Sequence, residues 1–411
     1  MSEPRSGSSD AANTAKAANA ARVREIFLAV MDLPAAERDG EIDRLCGSER
    51  DHAGGLKAKV RRMLEVHDGD ARDGDADFSS FMTKPAAALV DPSDHDGAPL
   101  PECIGRFRVL SLLGEGGFGS VYRVSQTEPI ARDVALKVIK PGMDSANVIA
   151  RFAGERQTLA SLQHEHIATI FDAGTTPDGR PYFVMELIEG LPITNHSDER
   201  KLSIDDRLSL FLDVCAAVEY AHRKGVIHRD LKPSNVLVHI EGSRAVAKVI
   251  DFGIARAIDA SGDARMTTEM QLVGTPDYMS PEQVDAEPGG VDTRVDVFAL
   301  GALLYELLVG VTPLGIASRT GSSLASTLQA IRTEEPPRPS ARLDGLGERR
   351  AEIAAARGTD PKRHRAALVG DLDWIVLRAI DKDVTRRYGS VEALAADIRR
   401  HRAHQPVSAA A

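Results

Sequence analysis

The chain has 411 residues, of which 43% are hydrophobic and 27% are charged, so it can bury a core and is not a disordered polypeptide. Its net charge is −10, and residues 1–104 carry 13 basic against 20 acidic side chains, so most of the acidity is N-terminal. This charge argues against nucleic-acid binding. The three cysteines, Cys46, Cys103 and Cys215, are far apart, which argues against a zinc site or a disulfide framework and favours a reducing, cytoplasmic location.

The N-terminal quarter of the chain is predicted to contain three segments. Residues 1–19 are rich in Ser, Ala and Asn and lack the apolar run of a signal peptide, so we expect disorder there. Residues 20–67 show apolar side chains at helical spacing and predict a small unit of three helices, the first ending at Leu33-Pro34, the second at 35–45 and the third at 56–66. Residues 68–103 are acidic and contain Gly and Pro, which is typical of a flexible linker.

The region 104–404 has the pattern of a two-lobed domain, and a short tail follows at 405–411. Short β-branched runs between glycine-containing turns predict an antiparallel sheet in an N-lobe at 104–187. Helical periodicity dominates a C-lobe at 188–404. The most apolar run, Val297–Val311, contains a glutamate and is too short to span a bilayer. It predicts a buried core helix, and no transmembrane segment is found.

A glycine-rich motif, G-x-G-x-x-G, occupies Gly114, Gly116 and Gly119. Two nucleotide-binding devices use this spacing: the dinucleotide turn of a Rossmann unit and a hairpin that folds over ATP. The Rossmann turn leads from a strand into a helix, whereas Ser-Val-Tyr-Arg-Val after Gly119 favours a strand. The sequence therefore predicts a strand–turn–strand whose backbone closes over phosphates, with Phe118 at its tip and Val121 against a base.

The next predicted strand, VALK, places Ala135 and Lys137 on the same face. Ala135 leaves room for a base, and Lys137 supplies a positive charge for phosphate oxygens. A buried ammonium needs an anionic partner, and Glu155 on the following helical segment is the candidate. Alone, a lysine at this position would be interpreted as an ordinary exposed residue.

Two polar motifs with the chemistry of phosphoryl transfer lie further along the chain. In HRDLKPSN, Asp230 is suited to accept or orient a hydroxyl proton, and Lys232 to neutralise charge on a phosphoryl group. Asn235, five residues later, offers an amide oxygen to a hard cation. In DFG, Asp251 ends a strand-like run, which suits a magnesium ligand.

In this order, the glycine motif, VALK, Glu155, HRDLKPSN and DFG resemble the eukaryotic-type (Hanks-type) serine/threonine protein kinases, over roughly residues 104–404. The resemblance implies an α+β, bilobal protein kinase fold, preceded here by the small helical unit. It implies transfer of the γ-phosphoryl group of ATP to Ser or Thr hydroxyls of proteins, with Mg²⁺ or Mn²⁺ as the metal. The implied catalytic residues are Asp230, Lys232, Asn235, Lys137 and Glu155, and the implied metal ligands are Asn235 and Asp251.

The resemblance also implies an ATP site, with Met185 as gatekeeper, backbone groups of Glu186 and Ile188 on adenine, and Leu237 as the adenine floor. The full set of implied ATP contacts is Leu113, Gly114, Glu115, Gly116, Gly117, Phe118, Gly119, Val121, Ala135, Lys137, Met185, Glu186, Ile188 and Leu237.

Further matches concern regulation and structural support. Arg229 before the catalytic aspartate implies an activation loop ordered by phosphorylation, with Thr267 and Thr268 as candidate phosphosites. Two solvated loop threonines are the alternative. The implied supporting residues are Phe252, Thr275, Glu282, Asp296 and Arg387, with Glu282 and Arg387 expected to pair. The sequence departs from the family at SPE, where Ala-Pro-Glu is usual, and at Phe298, where Trp is usual.

A basic stretch, residues 343–369, resembles an insertion found in bacterial kinases of planctomycete type. It is either a docking surface or a solvated face. The resemblance implies protein substrates and, for autophosphorylation in trans, a homodimer.

Two alternatives to an active protein kinase remain at this point. A pseudokinase would share the fold as an interaction module, but the full set from Lys137 to Asp251 disfavours it. A small-molecule phosphotransferase would share the catalytic loop but lack the Arg-Asp pair, the complete glycine loop and the Pro-Glu segment, all of which are present.

Overall fold

The computed structural model describes residues 35–46, 57, 100–115, 119–139, 159, 161–252, 276–285, 292–316, 319 and 324–410. The chain divides into two compact units, Met1–Phe81 and Met82–Ala411. In the first unit, helix α1 (Ala35–Cys46) lies where the second N-terminal helix is expected. The predictions for residues 1–19 and for most of the acidic linker fall outside the described residues.

The N-lobe is built on an antiparallel sheet of six strands in the order β1-β2-β3-β4-β6-β5. The strands are β1 (Cys103–Ile104), β2 (Phe107–Glu115), β3 (Gly119–Gln126), β4 (Arg132–Ile139), β5 (Ile170–Thr175) and β6 (Pro181–Met185). Phe107, Val124, Leu136 and Val184 belong to one buried apolar cluster of the sheet. Side chains at alternate positions of a strand point to the same face, so Val134 and Val138 of β4 join Leu136 in this cluster.

The C-lobe combines a small sheet with helices. The sheet has the order β7-β8-β9, with β7 (Leu191–Pro192), β8 (Val236–Glu241) and β9 (Arg244–Val249). The helices are α2 (Ile193–Glu199), α3 (Ile204–Arg223), α4 (Pro281–Asp285), α5 (Arg294–Val309), α6 (Leu324–Thr333), α7 (Pro339–Asp344), α8 (Arg349–Ala355), α9 (Pro361–Leu368), α10 (Asp371–Ala379) and α11 (Val391–Arg402). Among the helices described here, none has the length and apolar character to cross a bilayer.

Helix α5 is the centre of the C-lobe, and nearly all of its side chains are buried. It coincides with the apolar run predicted to form a buried helix. It ends at Gly310, whose φ of 78° is left-handed and whose N–H bonds to the carbonyl of Glu306 at 2.7 Å. Glycine adopts this conformation without a Cβ penalty, which explains the position of the helix end.

The predicted insertion closes the C-terminal end of α5. Arg357 donates to the carbonyls of Leu308 at 2.7 Å and Leu307 at 2.9 Å, and His364 Nε2 lies 2.9 Å from the Leu308 carbonyl. The last carbonyls of a helix have no partner within the helix and favour positive charge. Burial lowers the pKa of Arg357 to about 10 and that of His364 to about 4. A solvated face is therefore the wrong interpretation for these two residues, which face inward.

Helix α5 also carries Glu306, which accepts a hydrogen bond from the Tyr278 hydroxyl. Removal from water raises the pKa of Glu306 to about 7, although the Tyr278 hydrogen bond opposes the shift. Tyr278 lies in the short 3-10 helix Pro276–Tyr278, just before the Ser-Pro-Glu motif. A titratable carboxyl group thus links the core helix to this segment.

We expect Arg357→Met to lower the free energy of unfolding by about 2–3 kcal/mol, because it removes a buried donor from each of the Leu307 and Leu308 carbonyls and leaves Arg207 and His364 as their remaining side-chain partners. Urea unfolding followed by circular dichroism measures the change. Arg363→Met is the matched control within the same insertion, since its side chain is 84% exposed. An equal loss of stability in the two variants would contradict the capping role of Arg357.

Glu306→Gln tests the raised pKa of the buried carboxyl. A folded-state pKa of about 7, against an ordinary value of 4.5, means that the native chain binds this proton more tightly. Protonated Glu306 contributes its full stabilisation below about pH 4.5. The free energy of unfolding then falls by on the order of 2–3 kcal/mol as the pH rises from there through 7. An amide cannot ionise, so we expect the variant to lack this decline in urea unfolding at pH 5 and pH 8. Glu348→Gln, at an exposed position, should keep the wild-type decline; the same decline in Glu306→Gln would refute the assignment.

Candidate active site

The glycine motif lies between β2 and β3, which pair directly with one another. Gly114 is opposite Val121, and Glu115 is opposite Ser120, whose hydroxyl donates to the Glu115 carboxylate at 2.7 Å. A Cβ at Gly119 would lie 2.2 Å from the carbonyl oxygen of Val138, so only glycine fits there. The motif is therefore a strand–turn–strand and not a Rossmann turn. The middle of the turn, Gly116, Gly117 and Phe118, lies outside the described residues.

Lys137 projects from β4, where it pairs in register with Val121. Only 8% of the residue is exposed, and its ammonium donates to the carboxylate of Asp251 at 2.7 Å. The residue that holds this buried cation here is therefore Asp251 in the C-lobe. Glu155 lies outside the described residues, so its contact with Lys137 stays a prediction. Ala135, two residues earlier, is buried opposite Met185 of β6.

Asp251 follows β9 in a left-handed backbone conformation, with φ at 63°. Phe252 is buried, and its ring lies 4.7 Å from the ring of His228, measured between centroids. His228 is fully buried, with Nε2 2.9 Å from the carbonyl oxygen of Ile250. The sequence interpretation did not assign His228 a role, although it precedes the Arg-Asp pair. It packs the segment of Asp251 against the loop of Asp230.

Three predicted catalytic residues meet in the loop after α3. Lys232 Nζ lies 3.0 Å from the Asp230 carboxylate. The Asn235 amide nitrogen donates to the Asp230 backbone carbonyl at 2.7 Å and to its carboxylate at 3.1 Å. Since the amide nitrogen of Asn235 is used in this way, its oxygen is left for a cation. The loop thus combines a fixed carboxylate, a lysine and one amide oxygen.

Asp296, the third residue of α5, supports the catalytic loop through hydrogen bonds to its backbone. Its carboxylate accepts hydrogen bonds from the backbone N–H groups of His228 and Arg229, each at 2.8 Å, and lies 2.8 Å from His222 Nε2. Burial alone raises the pKa of Asp296, but the hydrogen bonds and charges of the two histidines outweigh it and leave the pKa lowered. Asp296 therefore stays ionised and fixes Arg229, whose φ is 68°.

A second support comes from the Ser-Pro-Glu segment. The predicted ion pair of Glu282 and Arg387 is present and bidentate, with one N–O distance of 2.8 Å. The Arg387 guanidinium also lies 5.0 Å from the ring centroid of Phe298, so the residue that replaces Trp keeps an aromatic contact. Gln283, which the sequence interpretation missed, donates to the Arg229 carbonyl at 2.8 Å. Thr275, Thr267 and Thr268 lie outside the described residues.

The predicted adenine contacts lie in the segment between the lobes and on strands β2, β3 and β8. Met185 and Ile188 are buried, whereas Leu113, Val121 and Leu237 are half-buried. The Glu186 N–H donates to the Thr169 carbonyl at 2.8 Å, so the carbonyl of Glu186, and not its N–H, is available to a base. The Glu186 carboxylate pairs with Lys248 Nζ at 2.9 Å, a contact with no sequence signal.

Comparisons with known proteins agree with this geometry. The family described as "Protein kinase domain" matches residues 107–395. The serine/threonine-protein kinase PknB of Mycobacterium tuberculosis is 35% identical over 308 residues, which are 73% of this chain and 44% of PknB. The probable serine/threonine-protein kinase SCO3848 of Streptomyces coelicolor is 36% identical over 313 residues, covering 75% and 41%. The chain therefore spans less than half the length of these relatives.

The fold has solved counterparts. The crystal structure of the Mycobacterium tuberculosis PknI kinase domain matches with a TM-score of 0.51 and 25% identity, covering 74% of this chain and 100% of that one. The likeness to planctomycete kinases stays a prediction. On the family match and these relatives, the chain belongs to the protein kinase family, as a bacterial Hanks-type serine/threonine kinase.

Proposed function

We propose that the chain transfers the γ-phosphoryl group of ATP to Ser or Thr hydroxyls of protein substrates. The observation that carries this proposal is the contact of Lys137 with Asp251 beside the cluster of Asp230, Lys232 and Asn235. Phosphoryl transfer needs positioning and electrostatic stabilisation more than covalent chemistry, and this set supplies both. Each predicted catalytic residue that the structure describes belongs to one of these two groups.

The donor set fits a hard divalent cation. Asp251 offers carboxylate oxygens and Asn235 an amide oxygen, which are ligands that Mg²⁺ prefers and Mn²⁺ also accepts. When bound, the metal and ATP supply the transferring group and the neutralisation of its charge. Lys137 would bind phosphate oxygens, and the glycine hairpin would cover them. The adenine would lie between Val121 and Leu237, with the Glu186 carbonyl accepting a hydrogen bond.

Asp230 is the residue of this chain that would act as the catalytic base. Its carboxylate is oriented by the Asn235 amide and by Lys232, so it can orient a substrate hydroxyl and accept its proton. Lys232 would also stabilise negative charge that develops on the phosphoryl oxygens. Arg229 itself has the left-handed backbone that positions Asp230, and the Asp296 carboxylate holds that backbone through the Arg229 N–H.

Asp230→Asn and Asp251→Asn should each reduce substrate phosphorylation by about 10²–10⁴-fold, since one loses the proton acceptor and the other a metal ligand. The measurement is radiolabelled phosphate transfer from Mg-ATP to a basic acceptor protein. Asp178→Asn is the matched control, because Asp178 lies in the exposed β5–β6 turn and pairs with Arg180. Equal phosphorylation by wild type and both variants would favour a pseudokinase and sink the proposal.

For regulation, we propose that phosphorylation of Thr267 and Thr268 activates the kinase through the charge of Arg229. The double Ala variant should then show at least a roughly tenfold lower kcat, because the phosphate that pairs with Arg229 cannot form. Mass spectrometry of the autophosphorylated chain locates the sites, and kinetics compare the variant with wild type. Unmodified threonines, or a variant with wild-type activity, would rule out this switch.

The remaining proposals concern context. We propose that the kinase acts in bacterial signalling on protein substrates, in the cytoplasm, and that two copies associate for autophosphorylation in trans. The low content and wide spacing of cysteine support the reducing compartment. Analytical ultracentrifugation across a concentration series tests the association of copies directly.

A further inference from the structure

Strand β9 is an edge strand of the small sheet, and its backbone also bonds to the segment that precedes β5. Val249 N–H donates to the His166 carbonyl at 2.9 Å, and Ala168 N–H donates to the Val249 carbonyl at 3.0 Å. The His166 ring nitrogen Nδ1 lies 2.9 Å from the Ala247 carbonyl. These contacts fix the backbone of β9 to the segment that precedes β5. Two residues beyond β9, the same backbone carries Asp251.

Lys248 lies between Ala247 and Val249, whose backbone groups make these contacts, and its side chain forms a separate ion pair. Its Nζ lies 2.9 Å from Oε1 and 3.0 Å from Oε2 of Glu186. The lysine side chain is 13% exposed and that of the glutamate 28%. Thr169 N–H donates to the same carboxylate at 3.1 Å, while Glu186 N–H donates back to Thr169 at 2.8 Å. Glu186 is therefore fixed both by its backbone and by its side chain.

The register of β8 and β9 places this ion pair at the adenine end of the proposed ATP site. Lys248 is directly opposite Leu237, so the two side chains share one face of the sheet. Leu237 is the expected adenine floor. Asp251 lies three residues further along, about 10 Å away in extended chain. One short segment thus contacts the site near the base and also carries the metal ligand.

We propose that Lys248 is a positioning residue for nucleotide binding, which ties Glu186, in the segment between the lobes, to the strand that leads to Asp251. This inference rests on the proposed kinase function. The exposed ion pairs of protein surfaces contribute little, but this one is mostly shielded from water and engages both carboxylate oxygens. Removing the ammonium of Lys248 would leave the partly buried Glu186 carboxylate unpaired beside the adenine. The segment between the lobes would then rearrange so that this carboxylate reaches water.

The experiment compares the full chain with Lys248→Met, which keeps most of the length of the side chain and removes its charge. We expect the KM for ATP and the Kd for ADP, measured by calorimetry, to rise roughly tenfold, with kcat changed less than about threefold. Lys248→Arg should recover most of the affinity, because it restores a cation that can pair with Glu186. Lys362→Met, an exposed lysine of α9, is the control and should match wild type.

Each outcome decides the proposal. An unchanged Kd for ADP in Lys248→Met, or a fall in kcat alone, would overturn it. Glu186→Gln should weaken ADP binding to a similar extent, and the double variant should lose less than the sum of the two single losses. If Lys248→Met does not fold, Glu186→Gln and Lys248→Arg still decide the question. A wild-type chain that binds ADP but phosphorylates nothing would refute the kinase function, while the binding data would still test the role of Lys248.

Discussion

Helix α5 is buried on nearly every side, so the polar groups at both of its ends must find partners inside the protein, and the rest of the C-lobe depends on how they do so. At the N-terminal end, Asp296 places a carboxylate where the helix dipole is positive. The same carboxylate accepts hydrogen bonds from the backbone of the catalytic loop. At the C-terminal end, Arg357 and Arg207 donate to the Leu307 carbonyl. The central helix is thus electrostatically matched at each end, and one of those ends positions the catalytic residues.

The left-handed backbones of Arg229 and Asp251 depend on the same support. A residue other than glycine in this conformation costs on the order of 1 kcal/mol or more, and such a cost persists only where surrounding contacts fix it. Asp296 and Gln283 bond the backbone of Arg229 on both sides, and Lys137 bonds the side chain of Asp251. Arg229 directly precedes the proposed catalytic Asp230, and Asp251 is itself a proposed metal ligand, so the strain lies where the chemistry is proposed.

Much of this site could be predicted from the sequence, because its residues lie in short motifs with fixed spacing. The strand after Gly119 predicted the hairpin, and Glu282 with Arg387 was predicted as a pair. The contacts of His222, Gln283 and Lys248 could not be predicted, because each is a single polar residue whose partner is remote in sequence. The inward-facing Arg357 and His364 of the insertion could not be predicted for a related reason: basic composition is compatible with a solvated face or a docking surface, and only the structure shows which side chains meet the end of a helix.

Two charged side chains that support the catalytic loop are more deeply buried than the charged side chains of the proposed working site. The side chains of Asp296 and Arg387 are fully buried, and removing one partner of such a pair costs several kcal/mol, because no water can replace it. The side chains of Asp251 and Asp230 are 16% and 32% exposed, and those of their partners Lys137 and Lys232 are 10% and 19% exposed. Water is largely excluded from these pairs, so each lysine and carboxylate needs a charged partner, and a bound ligand can take over that role. A nucleotide site needs that property, because its lysines and carboxylates must trade contacts with each other for contacts with ligand, while the loop beneath them stays fixed.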